Sequence, residues 1–409
     1  MFDAVIISDL HLGSGSGSDL LRRPELREPL LELARRAERV VLLGDVLELR
    51  HGPAREALAA AQPVLRDLGR ALAGRELVVV AGNHDHALIA PWLARRGEQD
   101  APEALSLQQL VEPADASPML AQIAQWASPA RVSCAYPGLW IREDVYATHG
   151  HYLDCHLTVP TLERLSVAAM CRLLGRSAST FASAEDYEAV TAPVYAWRDA
   201  VAREFPTGPA LNGTATLRAW RALGGAGGER RGSRDGARPR ARGSRRLRTR
   251  ALVAAFPLAV AALNRAGLGP LRAEISGREL RRAGLRAMRE VAARLGLGEA
   301  HVIFGHTHRS GPLAGDDLRE WRGVRAADAS SAHAVGAPAS GGAVGAQLIN
   351  AGCWTYDSLF LTSTPGESPY WPGTCVIVEE AGAPQLRRPL ADRTHEELRA
   401  ARRLIHAVS

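Results

Sequence analysis

The amino-acid sequence predicts an α/β fold. Short apolar runs of strand length alternate with stretches of helical period, and one run after another ends on a polar residue able to ligate a cation. Apolar runs of four or so residues bounded by glycine read as buried strands, and the amphipathic segments between them as covering helices.

Val5 to Ser8 reads as the first buried strand, ending at Asp9. Pro24 to Arg39 places Leu26, Leu30, Leu33 and Ala37 at helical spacing, with proline at its start. Val40 to Leu43 is the second strand and ends at Gly44-Asp45. Ala54 to Ala73 reads as a helix that Pro63 kinks or splits. Leu77 to Val80 is the third strand and ends at Gly82-Asn83-His84-Asp85. Val145 to Ala147 leads into His149-Gly150, and His301 to Phe304 into Gly305-His306-Thr307-His308. Gln347 to Asn350 and Thr374 to Val378 read as further strands. The polar residues thus fall just past strand C-termini, where open α/β sheets place their sites.

With 409 residues the chain is long for one compact domain and suggests a large domain with an insertion, or two domains. An apolar content of 46% excludes a wholly disordered chain. The strand pattern lapses between Tyr152 and Gly298, where Thr161 to Leu174 and Arg278 to Leu295 read as helices. The expected organisation is therefore a core in two parts, 1–151 and 299–409, separated by a mostly helical insertion or cap, 152–298. Gly224 to Arg250 reads as a disordered linker inside the insertion, and Ala326 to Gly345 as a loop.

Net charge is +6 and the sequence pI about 9.4, a balance that attracts phosphate-rich partners without identifying one. The chain has no lysine, so the excess is all arginine, which a GC-rich coding bias also produces. Only local clusters are then informative. The densest is Arg230–Arg250, followed by apolar Ala251 to Leu263. Contact with an anionic membrane or with nucleic acid is one reading and a solvated linker the other. The five cysteines are scattered, which argues against a disulfide framework and fits a reducing compartment. The opening residues carry no basic, long apolar leader, and no stretch has the roughly 20 apolar residues of a membrane span. A cytoplasmic protein is expected, with peripheral contact at the inner membrane surface left open.

Five clusters carry chemistry, in chain order: Asp9-Leu10-His11, Gly44-Asp45, Gly82-Asn83-His84-Asp85, His149-Gly150-His151 and Gly305-His306-Thr307-His308. They offer carboxylate, amide and imidazole donors and no thiolate, which suits Mn, Fe, Zn or a similar first-row ion rather than a structural cysteine–zinc site. Ligands two apart on an extended strand end point the same way, so Asp9 and His11 form one expected pair and His306 and His308 another. Taken singly, each cluster has a plainer reading. Asp45 could cap a helix, and Gly82-Asn83 is an ordinary turn signal. Independent turns would rarely assemble the whole ordered set.

That ordered set resembles the calcineurin-like metallophosphoesterase superfamily, whose pattern runs D-x-H, G-D, G-N-H-D/E, H, G-H-x-H. The resemblance covers the chain outside the middle section. It implies a metallophosphoesterase-type β-sandwich flanked by helices. It also implies two divalent metal ions, Mn2+ foremost with Fe, Zn, Ni or Mg as alternatives. Asp9, His11 and His308 would bind the first metal and Asn83, His149 and His306 the second, with Asp45 bridging them. His84 would stabilise or protonate the leaving oxygen, and Asp85 would orient His84. Two cations roughly 3.5–4 Å apart lower the pKa of a shared water, and the resulting bridging hydroxide would hydrolyse a phosphate mono- or diester or a pyrophosphate bond. His86 and His151 are candidate substrate contacts, with surface or supporting roles as the alternative. Asp154 reads as a helix cap or a contact to metal-bound water.

Ser8 to Leu12, Gly44 to Glu48 and Gly305 to Arg309 look like the bacterial UDP-2,3-diacylglucosamine pyrophosphatase group. That group usually has Arg where this chain has His84, and it lacks so long an insertion. Asp9 to Gly13 and Gly82 to Asp85 are similar to the nuclease subunits of DNA-repair complexes, the alternative activity. A non-catalytic scaffold would have lost ligands that this chain retains. No obligate protein partner is implied.

Overall fold

The structure, a computed structural model, describes residues 1–100, 103–204, 255–274, 276–323, 345–358, 361 and 367–399. Its strands are β1 (Phe2–Ile7), β2 (Ala37–Leu43), β3 (Glu76–Val80), β4 (Gln108–Val111), β5 (Arg131–Arg142), β6 (Val145–Thr148), β7 (His301–Phe304), β8 (Ser310–Gly311), β9 (Leu348–Ala351), β10 (Cys375–Val378) and β11 (Gln385–Arg387). They join in the order β11-β10-β1-β2-β3-β5-β6-β7-β9-β8, with β4 beside β5. β1, β2 and β3 run parallel, as do β6, β7 and β9.

β5 is the joint between the two sets. Its first residues pair parallel with β3 and its last antiparallel with β6. Side chains alternate along every strand. Ala4, Ile6, Val41, Leu43, Val78 and Val80 share one buried cluster with Leu139, Val145, Ala147, Ile303 and Ile349 from the other half. Val5, Ile7, Val40, Leu42, Leu77 and Val79 face a second cluster with the helices. The sheet therefore folds about β5 into two packed layers with helices outside. Strands buried on both faces read as unbroken apolar runs, and this is why they were legible. The α/β class is as expected.

Helices α1 (Pro24–Ala34), α2 (Ala54–Leu72), α3 (Ala90–Gly97), α4 (Pro113–Ala116) and α5 (Pro118–Trp126) belong to the first half. α1 stops five residues before the expected Arg39. Phe2 pairs with Ala37 and donates its N–H to the Arg36 carbonyl at 2.8 Å, which draws 37–39 into β2. α2 runs unbroken through Pro63. A helix-interior proline costs about 3 kcal/mol. Ala57, Ala61, Val64, Leu65 and Leu68 are all buried beneath α2, and a fully buried Val or Leu contributes about 1.5–3 kcal/mol, so packing outweighs the proline.

β6 and β7 are parallel neighbours and need a crossover. The insertion is that crossover. Its described part holds α6 (Leu162–Leu173), α7 (Ala184–Glu204), α8 (255–265) and α9 (Gly277–Arg294), and no strand. Thr161 and Ser276 cap α6 and α9 by accepting from the Arg164 and Glu279 N–H groups. Val167, Cys171, Phe181, Tyr187 and Val190 belong to the same apolar cluster as the core helices, so these described residues of the insertion share the core of the first half. The expected linker Gly224 to Arg250, with its basic run Arg230–Arg250, lies outside the described residues. So does the loop expected from Ala326, up to residue 344. All five cysteines are free and buried. Among the described residues, no helix is long and apolar enough to cross a membrane.

Candidate metal centre

The tips of β1, β2, β3, β6 and β7 meet. Asp9 and His11 donate backbone N–H groups to the Gly44 and Asp45 carbonyls at 3.1 and 2.8 Å, and Gly305 donates to the His149 carbonyl at 2.9 Å. The seven expected ligands come together there. His308 Nε2 lies 3.2 Å from Asp9 Oδ1 and 3.0 Å from His11 Nε2. Asn83 Oδ1 lies 3.0 Å from His149 Nε2 and 2.9 Å from His306 Nδ1. Between these groups sits Asp45, with Oδ2 at 3.7 Å from His11 Nε2 and 3.4 Å from His149 Nε2.

The backbone reaches this arrangement by a route that the sequence did not suggest. β1 ends at Ile7, and Asp9, His11, Asp45, His306 and His308 all have positive φ, from 46° to 66°. The paired ligands thus converge from left-handed turns, not from an extended strand end. The left-handed conformation costs an L residue about 1–2 kcal/mol and persists only where its surroundings enforce it. Ala73, at the end of α2, is the only other such non-glycine among the described residues. Strain is concentrated at the centre. Two glycines permit the close approach: a Cβ on Gly82 would lie 2.2 Å from Asp45 Oδ1, and one on Gly305 would lie 2.0 Å from Ser8 Oγ.

Each donor is oriented from behind. Asp9 Oδ2 accepts from Ser8 Oγ and the His306 N–H, so Oδ1 faces the centre. Asp45 Oδ1 accepts from the His84 N–H at 2.8 Å. His149 Nδ1 donates to the Leu43 carbonyl at 2.9 Å, and His11 Nδ1 bonds Glu48 Oε2 at 3.0 Å, which turns both Nε2 atoms inward. His306 is reversed: Nε2 donates to Asp154 Oδ2 at 3.0 Å and Nδ1 faces Asn83. Asn350 holds the same loop, donating to the Gly305 carbonyl and Thr307 Oγ1.

The electrostatics are those of an anionic pocket. Burial pushes the Asp9 carboxyl up, but the charge and hydrogen bond of His308 together with the His149 charge outweigh it and bring Asp9 to about 2. Asp45 and Glu48 are likewise held well below the usual carboxylate range by imidazoles, against burial. Burial lowers His149, yet the charge and hydrogen bond of Asp45, with the Asp9 charge and the Leu43 carbonyl, raise it to about 9. Three buried carboxylates therefore draw positive charge into one small volume.

Those residues fit a cation. Asp9 Oδ1 is buried and makes no hydrogen bond of good geometry among the described residues, with only the His308 ring beside it at 3.2 Å, so a metal there would add a partner. Three sets of donors each gather within 4.8 Å: Asp9, His11 and His308; His11, Asp45 and His84; Asp45, His149 and His306. These buried groups could hold a metal ion, and the oxygen and imidazole donors suit a first-row divalent ion.

Three expected roles are corrected. Asp85 does not touch the His84 ring. Its carboxylate accepts from the N–H groups of Gly82 and Val46 at 2.7 Å and of Leu47 at 3.2 Å, tying the β2 and β3 tips together. The carboxylate on the His84 ring is Glu48, 2.9 Å from Nδ1. Of the two roles open to His86 and His151, their burial fits the supporting one and not substrate contact. Both are buried behind the centre and face Glu188 of α7. Glu48 was visible in the sequence as the third residue after Asp45, but one acid in an apolar run carries no signal of its partners. No protein-family model matches the chain, and no curated protein is detectably similar to it.

Proposed function

We propose that the protein is a metal-dependent phosphoesterase of the calcineurin-like type, holding two divalent cations, Mn2+ foremost, on either side of Asp45. The observation that carries this reading is the Asp45 carboxylate, which belongs to two donor sets at once. Asp9, His11 and His308 would hold one cation, and Asn83, His149 and His306 the other. When bound, such cations supply Lewis-acid activation of water and offset charge on a phosphoryl group. The chain's own residues aim the donors, exclude water from beneath them and handle the leaving group.

His84 is placed for the last task. Its side chain is 19% exposed, whereas that of His149 is fully enclosed, so His84 stands where a substrate can reach it. Glu48 takes Nδ1, and Nε2 is left to meet the leaving oxygen of a phosphate mono- or diester or a pyrophosphate. The complete donor set disfavours a non-catalytic scaffold.

The test is a hydrolysis screen with Mn2+ over p-nitrophenyl phosphate, bis-p-nitrophenyl phosphate, nucleoside diphosphate sugars and single-stranded DNA. Turnover of at least one is expected, and cleavage of the DNA alone would assign the nuclease activity. His84→Ala should lower kcat by about 10²–10⁴-fold, the usual range for a general acid, with both cations retained. Because His84 also lies within ligand distance of His11 and Asp45, metal content decides its role. Loss of a cation in His84→Ala would make it a ligand instead.

A further inference from the structure

Glu188 lies on α7, a helix of the insertion, yet its carboxylate is buried beside His86, Tyr136 and His151 of the core as well as Tyr152 at the insertion's start. Oε1 accepts hydrogen bonds from the Tyr136 and Tyr152 hydroxyls. His86 Nε2 is 3.5 Å from Oε2, and His151 Nε2 is 3.8 Å from Oε1. Neither Nε2 has a hydrogen-bond partner among the described residues, and Glu188 is the carboxylate that faces both rings. The Tyr195 ring, from the same helix, packs between them at 5.4 and 5.5 Å.

These contacts are one-sided with respect to the metal centre. His86 lies three residues after Asn83, and His151 two after His149. Asp154, on the turn that begins at His151, bonds the His306 ring. The loops bearing Asn83, His149 and His306 are thus braced against the insertion. Among the described residues, the hydrogen bonds that orient Asp9, His11 and His308 come from the core, through Ser8, Glu48 and Thr355.

We infer that Glu188 is a positioning residue supplied by the insertion, which sets the Asn83–His149–His306 half of the centre and with it the affinity for one of the two cations. The inference rests on the two-cation reading above. Outer partners that orient metal ligands typically govern about 10–100-fold in affinity. A contact acting on one half weakens one binding step and spares the other.

The experiment is calorimetric titration of the metal-stripped full chain with Mn2+. Wild type is expected to show two binding steps, and Glu188→Ala to weaken one of them by about 10–100-fold with the other unchanged. Glu185→Ala is the control. It removes a second anchor of the same helix, the Arg96 ion pair and the bond from the Leu105 N–H, away from the metal loops. Both steps should survive it. Two unchanged steps in Glu188→Ala would overturn the inference, as would equal weakening in both variants, which would mean general loosening of α7. Should Glu188→Ala fail to fold, Glu188→Gln keeps an acceptor for the tyrosines but no charge for the imidazoles, and it should show the same selective loss. A wild-type chain that takes up fewer than two Mn2+ would instead refute the two-cation reading, and the inference with it.

Discussion

Asp45→Ala should abolish turnover, with a loss on the order of a thousandfold or more, and should deplete bound cations from both halves of the centre. Among the described residues it is the one carboxylate that belongs to two donor sets. Oδ2 lies between His11 and His149, while Oδ1 accepts from the His84 N–H and positions that loop. Removing the carboxylate withdraws a donor from two of the three sets and frees the loop of His84, the residue proposed to meet the leaving group. Asp45→Asn separates charge from shape. It retains an acceptor for the His84 N–H but no anionic oxygen, and the same loss of metal and activity is expected. Metal content, turnover and circular dichroism on the same preparations provide the check. Two bound cations or wild-type rates in either variant would remove Asp45 from its assigned place.

The second large effect is removal of the metal itself. Exhaustive chelation should reduce hydrolysis to background, and added Mn2+ should restore it. Unfolding should respond as well. Among the described residues Asp9 Oδ1 makes no hydrogen bond of good geometry and has only the His308 ring at 3.2 Å, so a cation there would add a partner to a buried acceptor. A ligand present at a hundred times its Kd stabilises the native state by about 2.7 kcal/mol per site. Thermal melts should therefore shift upward with Mn2+ and return downward with chelator. Hydrolysis that survives complete removal of metal, or a Tm indifferent to Mn2+, would contradict the assignment.

The ligands were legible because each sits in a short motif at the end of an apolar run, and both signals are local. What strand pattern cannot report is where a strand stops. Val5 to Ser8 reads as extended through its last residue, but the strand ends at Ile7, and left-handed turns at Asp9 and His11 create the convergence. β5 was missed because Pro137 and Gly138 interrupt it where it passes from one sheet layer to the other. The orienting carboxylates were illegible for a different reason. Glu188 meets Tyr136 across 52 residues, and a glutamate inside a helical stretch looks solvated until the fold buries it. Asp85 was given a task that belongs to Glu48, since adjacency in sequence says little about which carboxylate faces a ring.

The shared carboxylate is tested most directly by crystals of the Mn2+-loaded chain, with anomalous difference maps recorded at the manganese edge. Two peaks are expected, one against Asp9, His11 and His308 and one against Asn83, His149 and His306, both in contact with Asp45. A single peak, or peaks that do not touch Asp45, would contradict the dinuclear centre.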